Sequence, residues 1–144
     1  MWIILALMSA LVTGISAVVS KIGLSKVDSS AGFAVQSVVI VAISWAYASA
    51  TGKTKELARL ELKDWGYLLL AGAITTVAYL CYFGAIKAGD VSRVAPVDRL
   101  SLVFSVLFAA VFLSEKVTPP VIFGAGLMVV GALVIAVSGS SGAG

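Results

Sequence analysis

The run RVAPVDRLSLVF, residues 93–104, places a proline, an aspartate and an arginine at the start of a long apolar segment. In water Asp98 and Arg99 would form an ordinary surface pair, but in hydrocarbon each charge costs about 2.5–3.5 kcal/mol on insertion scales. Neighbours on a helix lie about 100° apart, so the two side chains do not face each other. In one interpretation Asp98 caps the helix and Arg99 extends to the headgroups. In the other, one of them faces an aqueous cavity and binds a solute.

A face of small and partly polar residues continues from Asp98 along the same predicted helix. Pro96 suits the first turn of a helix, which would put Asp98 near the positive end of the helix dipole. The residues that follow on this face at helical spacing are Ser101, Ser105 and Ala109. We therefore expect this face to point to the interior, and Arg99 to reach the interface or a partner helix.

Three residues elsewhere complete the candidates for a solute path. Lys21 stands at the foot of a polar stripe in the first apolar segment, although a boundary lysine is usually a membrane anchor. Gln36 lies among apolar residues and needs a hydrogen-bond partner, whether or not a ligand supplies it. Tyr79 belongs to a face that suits amphipathic solutes, although boundary tyrosines also serve as anchors.

Glu115, Gly124 and Gly131 are candidates for contact with a second chain. Asp98 and Glu115 lie at opposite ends of one predicted helix, about 25 Å apart, so they cannot share a site within one chain. In an antiparallel partner, Glu115 would reach the depth of Asp98. The two glycines allow close approach of another helix. That helix can belong to the same chain or to a second copy.

The elements that position these residues are apolar segments of membrane-spanning length. Of the 144 residues, 60% are hydrophobic and 12% are charged, against about half and about a quarter in soluble domains. A bilayer core of about 30 Å needs about 20 apolar residues per helix, and open strand edges are not tolerated in lipid. The sequence predicts an all-α membrane domain over residues 1–138 and a disordered tail over 139–144. Its five transmembrane helices are expected at about 2–19, 31–50, 65–86, 94–113 and 119–138.

The composition excludes several kinds of chemistry. The chain has no histidine and a single cysteine, Cys81, so the commonest metal ligand is missing and no intrachain disulfide can form. The sequence contains no nucleotide-binding loop, nucleophile–base pair or haem motif. We expect no catalytic residue, no metal and no other cofactor. The net charge of +3 comes from basic residues at helix ends, which does not indicate nucleic-acid binding.

Two connections between the apolar segments carry structural signals. Asp28, followed by two serines, is a candidate N-cap for the second helix. The second connection, TGKTKELARLELKDW, interleaves leucines with charges. This pattern predicts a short amphipathic helix in the membrane interface, closed by Trp65 as a headgroup anchor.

Basic residues are divided equally between the two ends of the predicted helices. One side would carry Lys21, Lys26, Lys87, Arg93 and Arg99, and the other Lys53, Lys55, Arg59, Lys63 and Lys116. This tie gives no preferred orientation under the positive-inside rule. Either the second connection, with its concentrated charge, faces the cytoplasm, or the chain inserts both ways and pairs head to tail.

The third to fifth segments carry a family pattern. An aromatic-rich end runs into AIKAGDVSRVAP, followed by PVDRLS, LSEKVT and a glycine-spaced last helix, while SKIGL after the first helix fits more weakly. This pattern resembles the EamA-type domain of the drug/metabolite transporter superfamily, especially its five-helix bacterial and archaeal members. It is specific over about residues 79–131. The resemblance carries over Pro96, Asp98, Arg99, Ser101, Glu115 and Lys21.

The resemblance implies a bundle equivalent to one half of a ten-helix inverted-repeat transporter, so that a lone chain would need an oppositely oriented partner. Relatives often have arginine where this chain has Gln36 and Gly84, which implies a different ligand or ligand charge. The first helix also lacks the membrane-embedded glutamate of the related small multidrug resistance proteins. Proton-coupled export of cationic drugs by their mechanism is therefore not expected.

These observations predict a multi-pass protein of the cytoplasmic membrane that transports a small molecule by alternating access. We expect it to work as an antiparallel homodimer or with a related membrane subunit. Its expected partners are the lipid bilayer and a small-molecule substrate, and nucleic acid is not among them. The alternative is a non-transporting subunit or scaffold that packs against another membrane protein, in which the polar residues serve packing alone.

Overall fold

The computed structural model describes residues 1–138, and the tail predicted to be disordered, 139–144, lies outside the described residues. Six α-helices and one short 3₁₀ helix follow one another, and the described part of the chain contains no strand. The α-helices are α1 (Trp2–Gly23), α2 (Ser29–Ala50), α3 (Leu62–Ala88), α4 (Val91–Asp98), α5 (Ser101–Phe112) and α6 (Pro119–Ser138).

Five helical stretches are long and apolar enough to cross a membrane: α1, α2, α3, the stretch Val91–Phe112, and α6. At most 11% of the most apolar 18-residue window in any of them is buried within the chain. The remaining apolar surface therefore has to meet lipid or another protein chain. The predicted fold class, all-α with five membrane-spanning helices, is confirmed.

Several helices extend beyond the ends of the predicted apolar segments. The first was expected to end at residue 19 and ends at Gly23, and the third was expected over 65–86 and spans Leu62–Ala88. The prediction followed apolar composition, whereas helical hydrogen bonding continues through the polar residues at the membrane boundary. The extra turns bring Lys21 and Lys87 into helices, where both take part in the contacts described below.

Asp28 begins α2, as its sequence context predicts. Its backbone is extended, and its carboxylate accepts hydrogen bonds from the Ser30 amide at 2.8 Å and the Ser30 hydroxyl at 2.5 Å. The amide bond satisfies one of the free N–H groups of the first turn. These bonds, chiefly that of the hydroxyl, hold the pKa of Asp28 below its ordinary value of 3.8. The cap therefore stabilises the fold above that pH and loses its effect as the pH falls through the lowered pKa.

The second connection forms a 3₁₀ helix, Lys53–Arg59, instead of the predicted amphipathic α-helix. The chain enters it through Gly52, whose φ of +68° is a conformation that favours glycine. Leu57 lies within this helix, and Leu60 follows its end in an extended conformation. Both are half-buried, whereas Leu62 is exposed. The segment therefore shields two of its three leucines in part.

The fourth span is interrupted at Arg99 and Leu100, whereas one helix was expected over residues 94–113. α4 begins at Val91, so Pro96 lies inside the helix and not in its first turn. Asp98 is the last of the eight residues of α4. It therefore lies at the negative end of that helix dipole rather than the positive end. At the interruption, Arg99 and Leu100 keep right-handed helical dihedrals, but hydrogen bonds there span three residues instead of four. Pro96 lacks the N–H that would donate to Ser92, so its direct effect falls on the turn before it.

The contacts of the chain form two compact units, which we describe separately. We call Val19–Lys87 the central unit, and Met1–Val18 together with the chain from Ala88 onward the terminal unit. The buried side chains of the central unit are Leu24, Phe83 and Ile86. In the terminal unit, α6 packs against both α4 and α5.

The packing of Leu24 against Gly32 gives the first prediction. Leu24 is only 3% exposed, and a Cβ added at Gly32 would lie 2.3 Å from its Cδ2. We expect Gly32→Ala to lower the free energy of unfolding by about 0.5–1.5 kcal/mol, because the methyl group forces the end of the Leu24 side chain away from its present position. Thermal unfolding in detergent micelles measures the change.

Gly72→Ala is the matched control, because a Cβ at that helical position meets nothing within 4 Å. An alanine there should leave stability unchanged or raise it by up to about 1 kcal/mol. The double variant Gly32→Ala/Leu24→Ala should recover part of the overpacking loss. Equal stabilities of Gly32→Ala and Gly72→Ala would contradict the close contact.

Candidate functional site

Lys21 contacts the C-terminal turn of α3 within the central unit. Its ammonium donates hydrogen bonds to the backbone oxygens of Ile86 at 2.7 Å and Lys87 at 3.3 Å. The last carbonyls of a helix have no partner within the helix, and the helix dipole makes this end negative. The lysine predicted to line a solute path thus caps a neighbouring helix in this structure.

Lys87 makes a similar contact to a backbone oxygen at the same end of the central unit. Its ammonium donates to the backbone oxygen of Val27, in the connection between α1 and α2. We call the contacts of Lys21 and Lys87 with these carbonyls the lysine clasp. The clasp joins the ends of α1 and α3 and the start of α2 through charge-assisted hydrogen bonds, which are stronger than neutral ones.

Gln36 finds a partner on α1, as a polar residue among apolar ones requires. The hydroxyl of Ser20 donates to its Oε1 at 3.4 Å, a long and therefore weak hydrogen bond. Both residues are half-buried. The amide nitrogen of Gln36 makes no hydrogen bond to any described residue. The amide therefore keeps two donor hydrogens available inside the membrane-spanning part of α2.

Tyr79 belongs to an aromatic cluster that joins α2 to α3. Its ring stacks on Phe33 with centroids 5.6 Å apart and an interplanar angle of 9°. Phe33 also meets the edge of Phe83, at 5.4 Å and 61°. Phe33 and Phe83 are not among the residues predicted from the sequence to line a solute path. Their spacing was an available signal, because Phe33 precedes Gln36 by three residues and Phe83 follows Tyr79 by four, which places each pair on one helix face.

A cavity of about 200 Å³ opens beside Gln36 in the central unit. Apolar residues and glycines form most of its wall, and Ser20 and Gln36 are its polar side chains. The lining residues are Ser20, Gly23, Leu24, Val27, Gly32, Val35, Gln36 and Phe83. An apolar wall with a few polar groups is typical of small-molecule sites.

The break in the fourth span is the main feature of the terminal unit. The amide of Leu100 donates to the oxygen of Val97 and that of Leu102 to the oxygen of Arg99, both at 3.0 Å. In a continuous helix these amides would donate to the oxygens of Pro96 and Asp98 instead. The backbone oxygens of Pro96 and Asp98 therefore lack the amide donors that a continuous helix would supply. Both oxygens lie within two residues of the Asp98 carboxylate in the sequence.

Asp98 and Arg99 do not pair with each other, in agreement with their helical spacing. The ion pairs formed by the described residues are Lys53–Glu56 and Arg93–Asp90, at 3.1 and 3.9 Å. Asp98 is exposed and Arg99 is half-buried. The Asp98 carboxylate therefore has no counter-ion among the described residues.

The face predicted to continue from Asp98 lines a second cavity, of about 330 Å³, in the terminal unit. Ser105 and Ala109 contribute to its wall together with Glu115 and Lys116. The Ser105 hydroxyl donates to the oxygen of Ser101 at 2.9 Å, which ties this face together one turn apart. Glu115 follows a turn at Ser114, whose φ of +54° ends the helical path.

The two candidate contact glycines of α6 have open surroundings. A Cβ added at Gly124 or Gly131 meets nothing within 4 Å among the described residues. Gly131 is exposed, and Gly124 is half-buried. The positions therefore leave room for a further helix without being filled by this chain.

With the geometry described, the chain can be compared with known proteins. The profile of the EamA-like transporter family matches residues 1–137. The chain belongs to this family. A protein from a Sinorhizobium species, named an uncharacterized transporter in the cobO 3′ region, is 35% identical over 136 residues, or 94% of this chain and 96% of that protein. No solved structure matches the chain significantly.

Membership of the EamA-like family confirms the resemblance, which was expected to cover nearly the whole chain and to be specific over about residues 79–131. It points to transport rather than to catalysis. Together with the five spanning helices, it places the chain among multi-pass membrane proteins.

The lysine clasp gives the second prediction. Lys21→Met removes the ammonium that caps α3, leaving the Ile86 and Lys87 oxygens without their charged donor. We expect a loss of about 1.5–3 kcal/mol in the free energy of unfolding, the usual range for a hydrogen bond to a charged group. Thermal unfolding of the purified protein in micelles measures this loss.

Lys26→Met is the matched control, because Lys26 is an exposed lysine in the following connection. Its removal should change the free energy of unfolding by less than about 0.5 kcal/mol. If the two methionine variants were equally stable, the helix-capping role of Lys21 would be wrong.

Proposed function

We propose that the chain is a secondary transporter of a small molecule and that it works by alternating access. The observation that carries this proposal is the interruption of the fourth span, with the Asp98 carboxylate at the break. Spanning helices in many transporters are discontinuous, and the free backbone groups at the break meet the substrate or the coupling ion. Irregular backbone at membrane depth is tolerated where it lines a cavity or is covered by protein.

The charge of Asp98 supports a functional role for the break. Ionisable residues in membrane spans are expensive, and they usually face a water-filled cavity or a partner. Asp98 lies between the negative end of α4, which opposes a carboxylate, and the positive end of α5, which favours one. The two helix dipoles act in opposite directions, so they do not by themselves compensate the charge. A transported cationic group, a proton or a partner helix can compensate the negative charge of Asp98.

The path candidates of the two units are proposed for each unit separately. Asp98, Arg99 and Ser101 act at the break, and Gln36 and Tyr79 act on the surface of the central unit. In one of the two access states, the Lys21 ammonium leaves the carbonyls at the end of α3 and lines the path. Opening of the lysine clasp then becomes one of the movements between the two access states.

We further propose that two copies in opposite orientation form the working transporter in the cytoplasmic membrane. The equal division of basic residues between the two sides of the spans supports insertion in both directions. Two inverted copies would supply the inverted repeat on which many transporters are built. Gly124 and Gly131 offer open surface for the helix contact, and Glu115 of one copy would lie at the depth of Asp98 of the other.

Neutralisation of Asp98 tests the transport proposal. Cells producing the protein are compared with cells lacking it by mass spectrometry of metabolites in the medium and in the cells. We expect Asp98→Asn to reduce the gradient of the affected metabolite at least about tenfold, since a contact to a charged group contributes about 1.5–3 kcal/mol. The amount of folded protein in the membrane should stay the same.

Glu61→Gln is the control, because it removes an exposed carboxylate at the end of the second connection. It should leave the metabolite gradient unchanged. A scaffold or non-transporting subunit would behave differently. Its production would change no metabolite gradient, or Asp98→Asn would lower the amount of folded protein without affecting transport per molecule.

A further inference from the structure

We infer that the cavity of about 200 Å³ in the central unit is a binding site for a small uncharged molecule with one apolar and one hydrogen-bonding end. The inference concerns binding and does not require the break at Asp98. The additional statement that this molecule is transported rests on the proposed function.

The volume of the cavity limits the size of its ligand. Sites for drug-sized molecules usually enclose about 300–1,000 Å³, and this cavity encloses about 200 Å³. Leu24, Val35 and Phe83 give it an apolar wall. A short aliphatic chain fits this space, and a large polycyclic molecule does not.

Gln36 supplies the polar recognition. Its amide oxygen accepts from Ser20, and its amide nitrogen donates to no described residue. Gln36 is half-buried, and its nitrogen is not among the fully buried unpaired atoms of the described residues, so a ligand can reach it. In hydrocarbon, an amide donor left unpaired costs about 1–3 kcal/mol. A ligand with a carbonyl or hydroxyl oxygen removes this cost by accepting from Gln36, whereas a pure hydrocarbon does not.

The charged groups near the cavity explain why the ligand is uncharged. No ionisable side chain lines the cavity in the described part of the chain. Lys21 and Lys87 are held by backbone oxygens in the clasp, and Asp28 is held by Ser30. A charged ligand would lose its hydration here and find no opposite charge, which is strongly unfavourable.

Gly23 keeps part of the cavity open. It lines the cavity, and a Cβ added there meets nothing within 4 Å. A larger side chain at residue 23 therefore enters free space without displacing backbone. Gly32 differs, because a Cβ at that position collides with Leu24.

Ligand binding to the purified full-length protein in lipid nanodiscs tests the inference. The probe is butyramide, which combines a three-carbon chain with an amide, and butyrate and butylammonium are its charged counterparts of similar size. Saturation-transfer NMR measures binding, with empty nanodiscs as the blank. A ligand of this size should bind with a Kd of about 1–10 mM.

Two variants and one control complete the test. Gly23→Leu fills the cavity and should raise the Kd of butyramide at least tenfold. Gln36→Leu removes the polar group and should raise it at least threefold. Gly66→Leu adds the same side chain at an exposed position of α3 where a Cβ also meets nothing within 4 Å, and it should leave the Kd unchanged.

The inference is overturned if butyramide binding is absent or survives both Gly23→Leu and Gln36→Leu. Equal binding of butyrate or butylammonium also overturns it, because the cavity would then not select uncharged molecules. Stronger binding in Gln36→Leu would mean that an apolar group such as a lipid chain is the occupant. If Gly23→Leu does not fold, Gln36→Leu and the charged counterparts still decide the question.

The outcomes separate this inference from the proposed function. Selective butyramide binding in a protein whose production changes no metabolite gradient would uphold the binding site and contradict transport. A metabolite gradient that depends on Asp98, without butyramide binding, would uphold transport and contradict the site.

Discussion

Hydrocarbon offers no hydrogen-bonding partner, so every polar group inside a span must find one within the protein or from a solute. This constraint makes the spans helical, and the side-chain hydrogen bonds that join different elements of the central unit lie at one end. There Asp28 caps the start of α2, Lys21 caps the end of α3, and Lys87 holds the connection between α1 and α2. The Ser20–Gln36 contact extends the same end into the span. The structure thus depends on a few polar contacts at helix ends far more than on a large apolar core.

The fourth span contains polar groups that have no hydrogen-bonding partner among the described residues. Pro96 cannot donate a backbone hydrogen bond. After it, several backbone hydrogen bonds span three residues instead of four. Two carbonyls and one carboxylate then face surroundings that the described residues do not satisfy. In a soluble protein water would satisfy them at little cost, and the arrangement would carry no functional meaning. In a chain with five membrane-spanning helices, this is the observation on which our proposal of a transport role for the break rests.

Local features of the fold could be predicted from the sequence. The spans follow from the length of the apolar runs, and the Asp28 cap follows from three consecutive residues. The start of the fourth helix was misplaced because Pro96 was interpreted as a first-turn residue, whereas the helix begins at the more polar Val91–Arg93. The break after Asp98 is a local change from four-residue to three-residue hydrogen bonds, and the spacing of apolar residues does not report this.

The candidate site was predictable only in part, because its contacts join residues distant in sequence. The need of Gln36 for a partner could be inferred from its apolar neighbours, but the identity of Ser20 as that partner could not. Lys21 was recognised as a boundary lysine, yet its acceptors lie 65 and 66 residues away. Phe33 and the cavity beside Gln36 similarly emerge only when α1, α2 and α3 come together.

Transport by two oppositely oriented copies is tested most directly by the membrane topology of the chain. Cys81 is replaced by alanine, and single cysteines are introduced at Ser29 and Thr54, which flank the two ends of α2. An impermeant thiol reagent is then applied to intact cells and to inverted membrane vesicles. The antiparallel arrangement predicts that each position is labelled in a fraction of the molecules from either side. Labelling of each position from one side only would contradict two inverted copies of this chain.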